Sequence, residues 1–340
     1  MLKRKIPVIY MVITIILGCV ASVVAVGYIN RSPVRDHRST VSALPDTSEN
    51  CEYSYSRLEG YKYVQPLYLA EPKCESGFYI PLKGQMDAML NKVKAAGDIE
   101  NASVYIKDFS SDGWMAYNTE VAYHPGSLFK VITMISFFRM AEAQPSLLSK
   151  EVLYPKNATP TATQTFRSQE IKPGTRYTIR DLIYRMIVYS DNDATLLLHE
   201  HIDKGVFTKV FSDLGLKRPA SVPDPTYQLS VKEYSRFVSV LYEGGYLSLP
   251  ASESAISLLC ESDFAQGITK QLPRGLTVAH KFGEAGEPGK MELHESAIVY
   301  LNDRPYLITI MTRGKNSQRL AAIMSDLSKL AYDHMLKRQA

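Results

Sequence analysis

The chain has little cysteine: four in 340 residues, at Cys19, Cys51, Cys74 and Cys260. Their spacing is not that of a zinc site, which needs close pairs of Cys or His ligands. His199 and His201 are two apart in a helical pattern, so they point in different directions and make a poor chelate. The sequence contains no H-E-x-x-H, P-loop, G-x-G-x-x-G or G-x-S-x-G. Zincin chemistry, phosphate cradles, dinucleotide folds and nucleophile-elbow hydrolases therefore lack support. An excess of one charge is also missing. With 39 basic and 35 acidic residues the net charge is +4, and no run of five basic residues occurs. That leaves no electrostatic footprint for nucleic acid. There is no internal repeat or low-complexity tract, so a solenoid is excluded. No metal and no cofactor are expected.

The one long apolar run is at the start. Lys3, Arg4 and Lys5 precede an uncharged stretch from Ile6 to Ile29, and a bilayer-crossing helix needs about 20 residues. The basic cluster favours a cytoplasmic N-terminus, although Arg31, Arg35 and Arg38 weaken the asymmetry. Residues 1–29 are read as a cytoplasmic tip and single-pass membrane anchor, with the remainder extracytoplasmic (periplasmic). A cleaved signal peptide, or a lipoprotein signal at Ile16-Leu17-Gly18-Cys19, is the alternative. Residues 30–80 read as a polar linker and a Tyr-rich extension without a clear period. Cys51 and Cys74 bracket that extension. They suit a disulfide in an oxidising compartment, with two unpaired thiols as the alternative. Cys260 lies among Ile256, Leu258 and Leu259 and reads as core.

From Leu82, apolar residues recur at Met86, Met89, Leu90 and Val93, which is helical spacing, and Gly97 ends it. A hairpin is predicted from strands over 102–109 and 114–117 around Ser110-Ser111-Asp112-Gly113. Residues 146–178 look irregular. Helices follow from Thr178, which is an N-cap, and over 194–202, 205–214, 230–243 and 251–260. Strands return over 276–282, 293–301 and 306–312, and an amphipathic helix closes the chain. The order implies an α+β fold. An antiparallel sheet from both chain ends is flanked by helices, and an all-helical lobe (about 146–274) is inserted in a domain spanning 81–340.

The chemistry centres on His124-Pro125-Gly126-Ser127-Leu128-Phe129-Lys130. The helix that follows is apolar on every side, with Val131, Ile132, Met134, Ile135, Phe137 and Phe138, and such a helix is buried. Ser127 and Lys130 are one turn apart and share a face. A hydroxyl beside a dry amine suggests an activated nucleophile, and a helix cap followed by a snorkelling lysine is the alternative.

Two further signatures follow in order: Ser190-Asp191-Asn192 and Lys281-Phe282-Gly283. S-x-x-K with S-D-N and K-T-G is the signature set of class A β-lactamases and penicillin-binding proteins. From about residue 80 onward the chain resembles this class A β-lactamase-like serine hydrolase family. The resemblance implies that Ser127 becomes acylated, with Lys130 as base. Ser190 passes a proton to the leaving nitrogen, Asn192 holds the substrate amide or Lys130, and Lys281 tunes Ser190. Gly283 and Glu284 supply substrate-binding backbone, and the N–H groups of Ser127 and Glu284 form the oxyanion hole. The implied partner is a small-molecule β-lactam or a peptidoglycan peptide. The alternatives are a D,D-peptidase-like enzyme and a penicillin-binding sensor acylated without turnover. The resemblance sets no oligomeric state.

The sequence departs from the family pattern in two places. Class A enzymes carry a loop glutamate that activates water for deacylation. Here the stretch from Leu214 to Ser230 is short, and Asp224 is its only acid. Phe282 also replaces the hydroxyl residue that helps hold the substrate's carboxylate. Glu284 adds negative charge beside it, and Arg313 is the candidate compensating cation, or else a solvated strand-end arginine. His294 starts a strand near the site, where a structural role is favoured over a functional one.

Overall fold

The structure is a computed structural model that describes residues 51–158, 165–166, 169–222 and 224–337. The expected anchor over 1–29 lies outside the described residues. Among the described residues no helix is long and apolar enough to cross a membrane.

The Tyr-rich extension, which showed no period, forms a hairpin. Strand β1 (Tyr53–Arg57) pairs with β2 (Leu67–Pro72), and a Cys51–Cys74 disulfide joins the hairpin's open end. The alternation is hard to see because Tyr55 is exposed while Tyr68 and Leu69 are buried. The indole of Trp114 donates to the Pro72 carbonyl at 2.7 Å, so the hairpin is docked on the domain rather than part of a linker.

Helix α1 (Ile80–Ala95) buries Leu82, Met86, Leu90 and Val93 along one stripe, and Gly97 leaves it at φ +76°. Strands β3 (Asn101–Asp108) and β4 (Trp114–Tyr117) make the expected hairpin. In its turn the Asp108 carboxylate accepts from the Ser110 N–H and the Ser111 hydroxyl. The short β5 (Ala122–Tyr123) leads into a 3-10 turn, Gly126–Leu128, and the buried helix α2 (Phe129–Ala143).

Residues 146–178 are less irregular than their sequence suggests, because β6 (Glu151–Leu153) and β7 (Arg176–Thr178) pair across the excursion. Thr178 caps α3 (Ile179–Val188) through a capping box with Asp181. Helices α4 (Asn192–His199) and α5 (Lys204–Asp213) follow. Strand β8 (Leu229–Ser230) pairs with β5, and Ser230 caps α6 (Val231–Glu243) through a second capping box. Helix α7 (Leu249–Cys260) buries Ser252, Ala255 and Leu259. Cys260 falls about 100° off that stripe and is exposed, contrary to the core position expected for it.

The last strands are β9 (Val278–Glu287), β10 (Lys290–Val299) and β11 (Tyr306–Gly314), and the chain closes with α8 (Ser317–Lys337). The sheet order is β4-β3-β11-β10-β9, antiparallel throughout, so both chain ends contribute as expected. Both sheet faces are covered. In β11, Tyr306, Ile308 and Ile310 pack toward α1 and α8, whereas Leu307 and Met311 pack toward the helical lobe. Two-sided burial explains why this strand is a continuous apolar run rather than an alternating one. Strand β9 extends past the apolar stretch because residues 284–287 lie progressively more exposed, where burial no longer selects hydrophobic side chains.

The edge strand β9 runs against the 3-10 turn. A methyl group built on Gly283 would lie 2.4 Å from the Pro125 carbonyl oxygen, and one on Gly126 2.3 Å from that of Glu284. Glycine is required at both positions by this close approach, and Gly126 also has φ +55°. Gly283→Ala is expected to lower thermal stability and to impair any chemistry at Ser127. Gly84→Ala, on a helical position facing open space, should raise stability by about 0.5–1 kcal/mol. Denaturant midpoints of the two variants check the contrast.

Candidate active site

The 3-10 turn puts Ser127 at the mouth of α2, and the helix continues without a break to Lys130. Both side chains are nearly buried, at 6% and 3% exposure. Burying an ammonium requires acceptors, and three atoms from Ser190, which precedes α4, and Asn192, which opens it, surround the amine. Lys130 Nζ lies 2.5 Å from the Ser190 carbonyl, 3.1 Å from Ser190 Oγ and 2.8 Å from Asn192 Oδ1. Ser190 presents both its oxygens because its backbone is left-handed, at φ +54°, which is uncommon for a non-glycine residue. The next residue, Asp191, fixes that conformation. Its carboxylate caps α4 through the Asp193 and Ala194 N–H groups and also accepts from Ile171 N–H.

Lys281 arrives from β9 on the sheet face opposite Phe282. Its Nζ donates to Ser190 Oγ at 2.9 Å and to the Phe282 carbonyl at 2.9 Å. The Ser190 hydroxyl therefore bridges two buried lysines. Burial pushes Lys130 well below the ordinary lysine range, the Lys281 charge adds to this, and Asp191 opposes it. Burial lowers Lys281 to about 7, against the attraction of Asp263 and Glu295. Near neutral pH the pair can thus hold fewer than two protons.

The backbone leading into Ser127 is clamped from β10 and β11. The Glu292 carboxylate accepts the His124 N–H at 2.8 Å and the Arg313 Nε–H at 2.7 Å. The Thr312 N–H donates to His294 Nδ1 at 3.2 Å, so the ring proton lies on Nε2 and is directed at the His124 carbonyl, 3.1 Å away. Burial raises the Glu292 pKa, but the adjacent His294 ring, the Arg313 hydrogen bond and the His124 N–H outweigh it and hold the group at about 2. Arg313 also donates to the Ala122 carbonyl. It is neither a solvated strand-end residue nor a free cation for substrate, because Glu292, directly across the β10–β11 register, has taken it. His294 is fully buried in this clamp and holds the turn.

The structure brings Ser127, Lys130, Ser190, Asn192 and Lys281 together, with the Gly283 and Glu284 backbone against the turn. The Glu284 side chain turns away. It accepts from Ser317 Oγ at 2.8 Å and from the Thr165 N–H at 2.9 Å. A cavity of about 460 Å³ opens beside Ser127, Lys130 and Asn192, with Phe129, His199, Asp224 and Tyr227 in its wall. Asp224 is committed to its own loop through the Ala220 and Thr226 N–H groups and the Thr226 hydroxyl. His199 was not expected here. Asn192, Thr195, Leu196 and His199 all line the cavity, at i, i+3, i+4 and i+7, which is the stripe that would have placed it. The Thr133 hydroxyl donates to the Phe129 carbonyl, so it accepts from His199 Nε2–H at 3.1 Å. Nδ1 is then a buried acceptor with no partner among the described residues. Burial and the Lys130 charge lower the ring to about 4, so it is neutral.

Residues 82–335 match the family model described as the Beta-lactamase enzyme family. The chain belongs to this family. No curated protein matches it. Solved structures share the fold at low identity. PBP-A aligns with a TM-score of 0.64 at 18% identity, over 76% of this chain and 97% of that one. The β-lactamase from Sphaerobacter thermophilus gives 0.62 at 18%, over 74% and 96%. The TLA-1 extended-spectrum β-lactamase gives 0.66 at 16%, over 75% and 98%.

The two-lysine arrangement carries a pH prediction. The Lys281 charge disfavours a proton on Lys130, so its removal raises the Lys130 pKa. In Lys281→Ala the ascending limb of the acylation rate should move to higher pH. A limb that stays in place or moves down, followed by stopped-flow or intact-mass kinetics, would contradict the coupling.

Proposed function

We propose that this chain is a membrane-anchored, extracytoplasmic serine hydrolase that forms an acyl-enzyme on Ser127 with a β-lactam or a related amide. The observation that carries the reading is the buried amine of Lys130, one turn after Ser127 and hydrogen-bonded to Ser190 and Asn192. A pure binding module has no use for a dry lysine beside a serine.

In the proposed reaction, neutral Lys130 takes the Ser127 hydroxyl proton as Oγ attacks the carbonyl. The resulting oxyanion is held by the N–H groups of Ser127 and Glu284, and one such donor is worth about 10²–10³ in rate. Collapse breaks the C–N bond. The proton reaches the leaving nitrogen through Ser190, which touches both lysines. Asn192 orients Lys130, and the product is an ester on Ser127. PBP-A, whose fold this chain shares, is known as an acyl-enzyme complex with penicillin G in a variant form, which supports the same half-reaction here.

Hydrolysis of that ester is the slower half. Residues 214–228 supply Asp224 as their only acid, and its oxygens are already engaged by the loop. This favours a D,D-peptidase-like or slow-turnover enzyme as the second reading. The Cys51–Cys74 bridge and the apolar stretch from Ile6 to Ile29 support an anchored domain outside the cytoplasm.

Incubation with a labelled penicillin, followed by intact mass over time, is the test. A single adduct on Ser127 should accumulate and persist, and Ser127→Ala should form none. No adduct at concentrations that label a control enzyme would sink the β-lactam reading. Rapid loss of the adduct would instead favour an efficient β-lactamase.

A further inference from the structure

A second cavity of about 250 Å³ opens beside Phe282, the residue after Lys281 on β9. Thr165, Phe166, Asp263, Phe264, Ala265, Gln266 and Phe282 line it. A substrate whose acyl carbon sits at Ser127 and whose nitrogen faces Ser190 has its leaving-group side directed toward this region of β9. The chemistry of the lining therefore selects the group attached to the scissile nitrogen.

An anionic group in such a place needs a cation or several hydrogen-bond donors. The described lining residues carry no cation, and their side-chain donors, the Thr165 hydroxyl and the Gln266 amide, are neutral. Phe282 has no donor, and its ring stacks on Phe264 at 4.2 Å between centroids and 23° between planes. The Phe166 ring meets both edge-on, at 5.1 and 6.2 Å. The Lys281 amine, next to Phe282 in the chain, is 1% exposed. It is spent on Ser190 Oγ, the Phe282 carbonyl and the face of the Phe282 ring at 4.1 Å. Arg313 is held by Glu292. The charges that are present are negative. Asp263 is part of the lining. Glu284 shares Phe282's side of β9, two residues on, and among the described residues its carboxylate accepts from the neutral Thr165 N–H and Ser317 hydroxyl.

We propose that this subsite takes an uncharged group, and that the substrate is an amide or β-lactam without a free carboxylate on its leaving-group side. This rests on the acyl-enzyme reading above and narrows its substrate class. An uncharged group can meet the neutral Thr165 and Gln266 side chains, whereas a carboxylate placed there loses its water without gaining a cation.

Benzylpenicillin and its methyl ester test this directly, because they share the acyl side and the strained amide and differ only in the charge. The rate of Ser127 adduct formation is followed by intact mass for the wild type and for Phe282→Thr, which restores a hydroxyl, with Phe282→Leu as an apolar control for packing. The ester is expected to acylate the wild type at least about tenfold faster than the free acid, the size of one missing hydrogen bond to a charged group. Phe282→Thr should narrow that ratio and Phe282→Leu should leave it. Equal rates, or a faster free acid, would overturn the proposal while leaving the acyl-enzyme reading intact. A free-acid preference abolished by Arg167→Ala, the nearest basic residue in sequence to Phe166, would overturn it and assign the compensating charge to that arginine. No adduct from either compound overturns both readings.

Discussion

An ammonium group is costly to remove from water, and this fold buries two of them within hydrogen-bonding reach of one hydroxyl. Lys130 and Lys281 lie 3.1 and 2.9 Å from Ser190 Oγ. An uncompensated buried charge costs several kcal/mol, so the surrounding chain is arranged around the pair. Ser190 adopts a left-handed backbone to offer two oxygens, Asp191 is buried to hold that conformation, and Asn192 turns its amide oxygen inward. Burial lowers the pKa of both lysines, Lys130 well below its ordinary range and Lys281 to about 7. A neutral amine one turn from a serine has the chemistry of a base, which is what the proposed acylation of Ser127 would use.

The nucleophile turn is positioned from the opposite side by a different device. Glu292, His294 and Arg313 bind the N–H and C=O groups of His124 and the carbonyl of Ala122. The chain therefore enters Ser127 along a fixed path, while the glycines at 126 and 283 let β9 approach closely enough for its backbone to face the turn. Elements on both sides fix the backbone at Ser127, as the proposed attack on a carbonyl requires.

The parts legible in the sequence were those governed by local pattern. Ser127, Lys130, Ser190, Asn192 and Lys281 lie on short motifs whose mutual approach follows from the family resemblance. The helices follow from apolar spacing and from caps such as Thr178. What stayed hidden depends on pairing across the sheet or on burial set by remote elements. Arg313 looks like a free cation until the β10–β11 register places Glu292 opposite it. The Tyr-rich extension has no period because Tyr55 is exposed while Tyr68 is buried. Cys260 looked like core because its neighbours are apolar, but the buried stripe of α7 passes one residue to the side. His199 was set aside as half of a poor chelate, although it lies on the same helical stripe as Asn192.

The same alternation that hides residues also divides the work of β9. On an edge strand, odd and even positions serve different surroundings. Lys281 faces Ser190 and the helical lobe, while Phe282 and Glu284 face the side of the sheet covered by α1 and α8. A threonine at position 282 is small enough for its hydroxyl to stay at the strand edge, where a substrate would lie. A phenylalanine is not, and its ring is drawn into the apolar layer with Phe264. One substitution therefore removes a donor from the edge and anchors the strand more firmly to the core. On the proposed reading, position 282 shapes what the leaving-group subsite takes, while Lys281, one residue earlier on the same strand, serves Ser190.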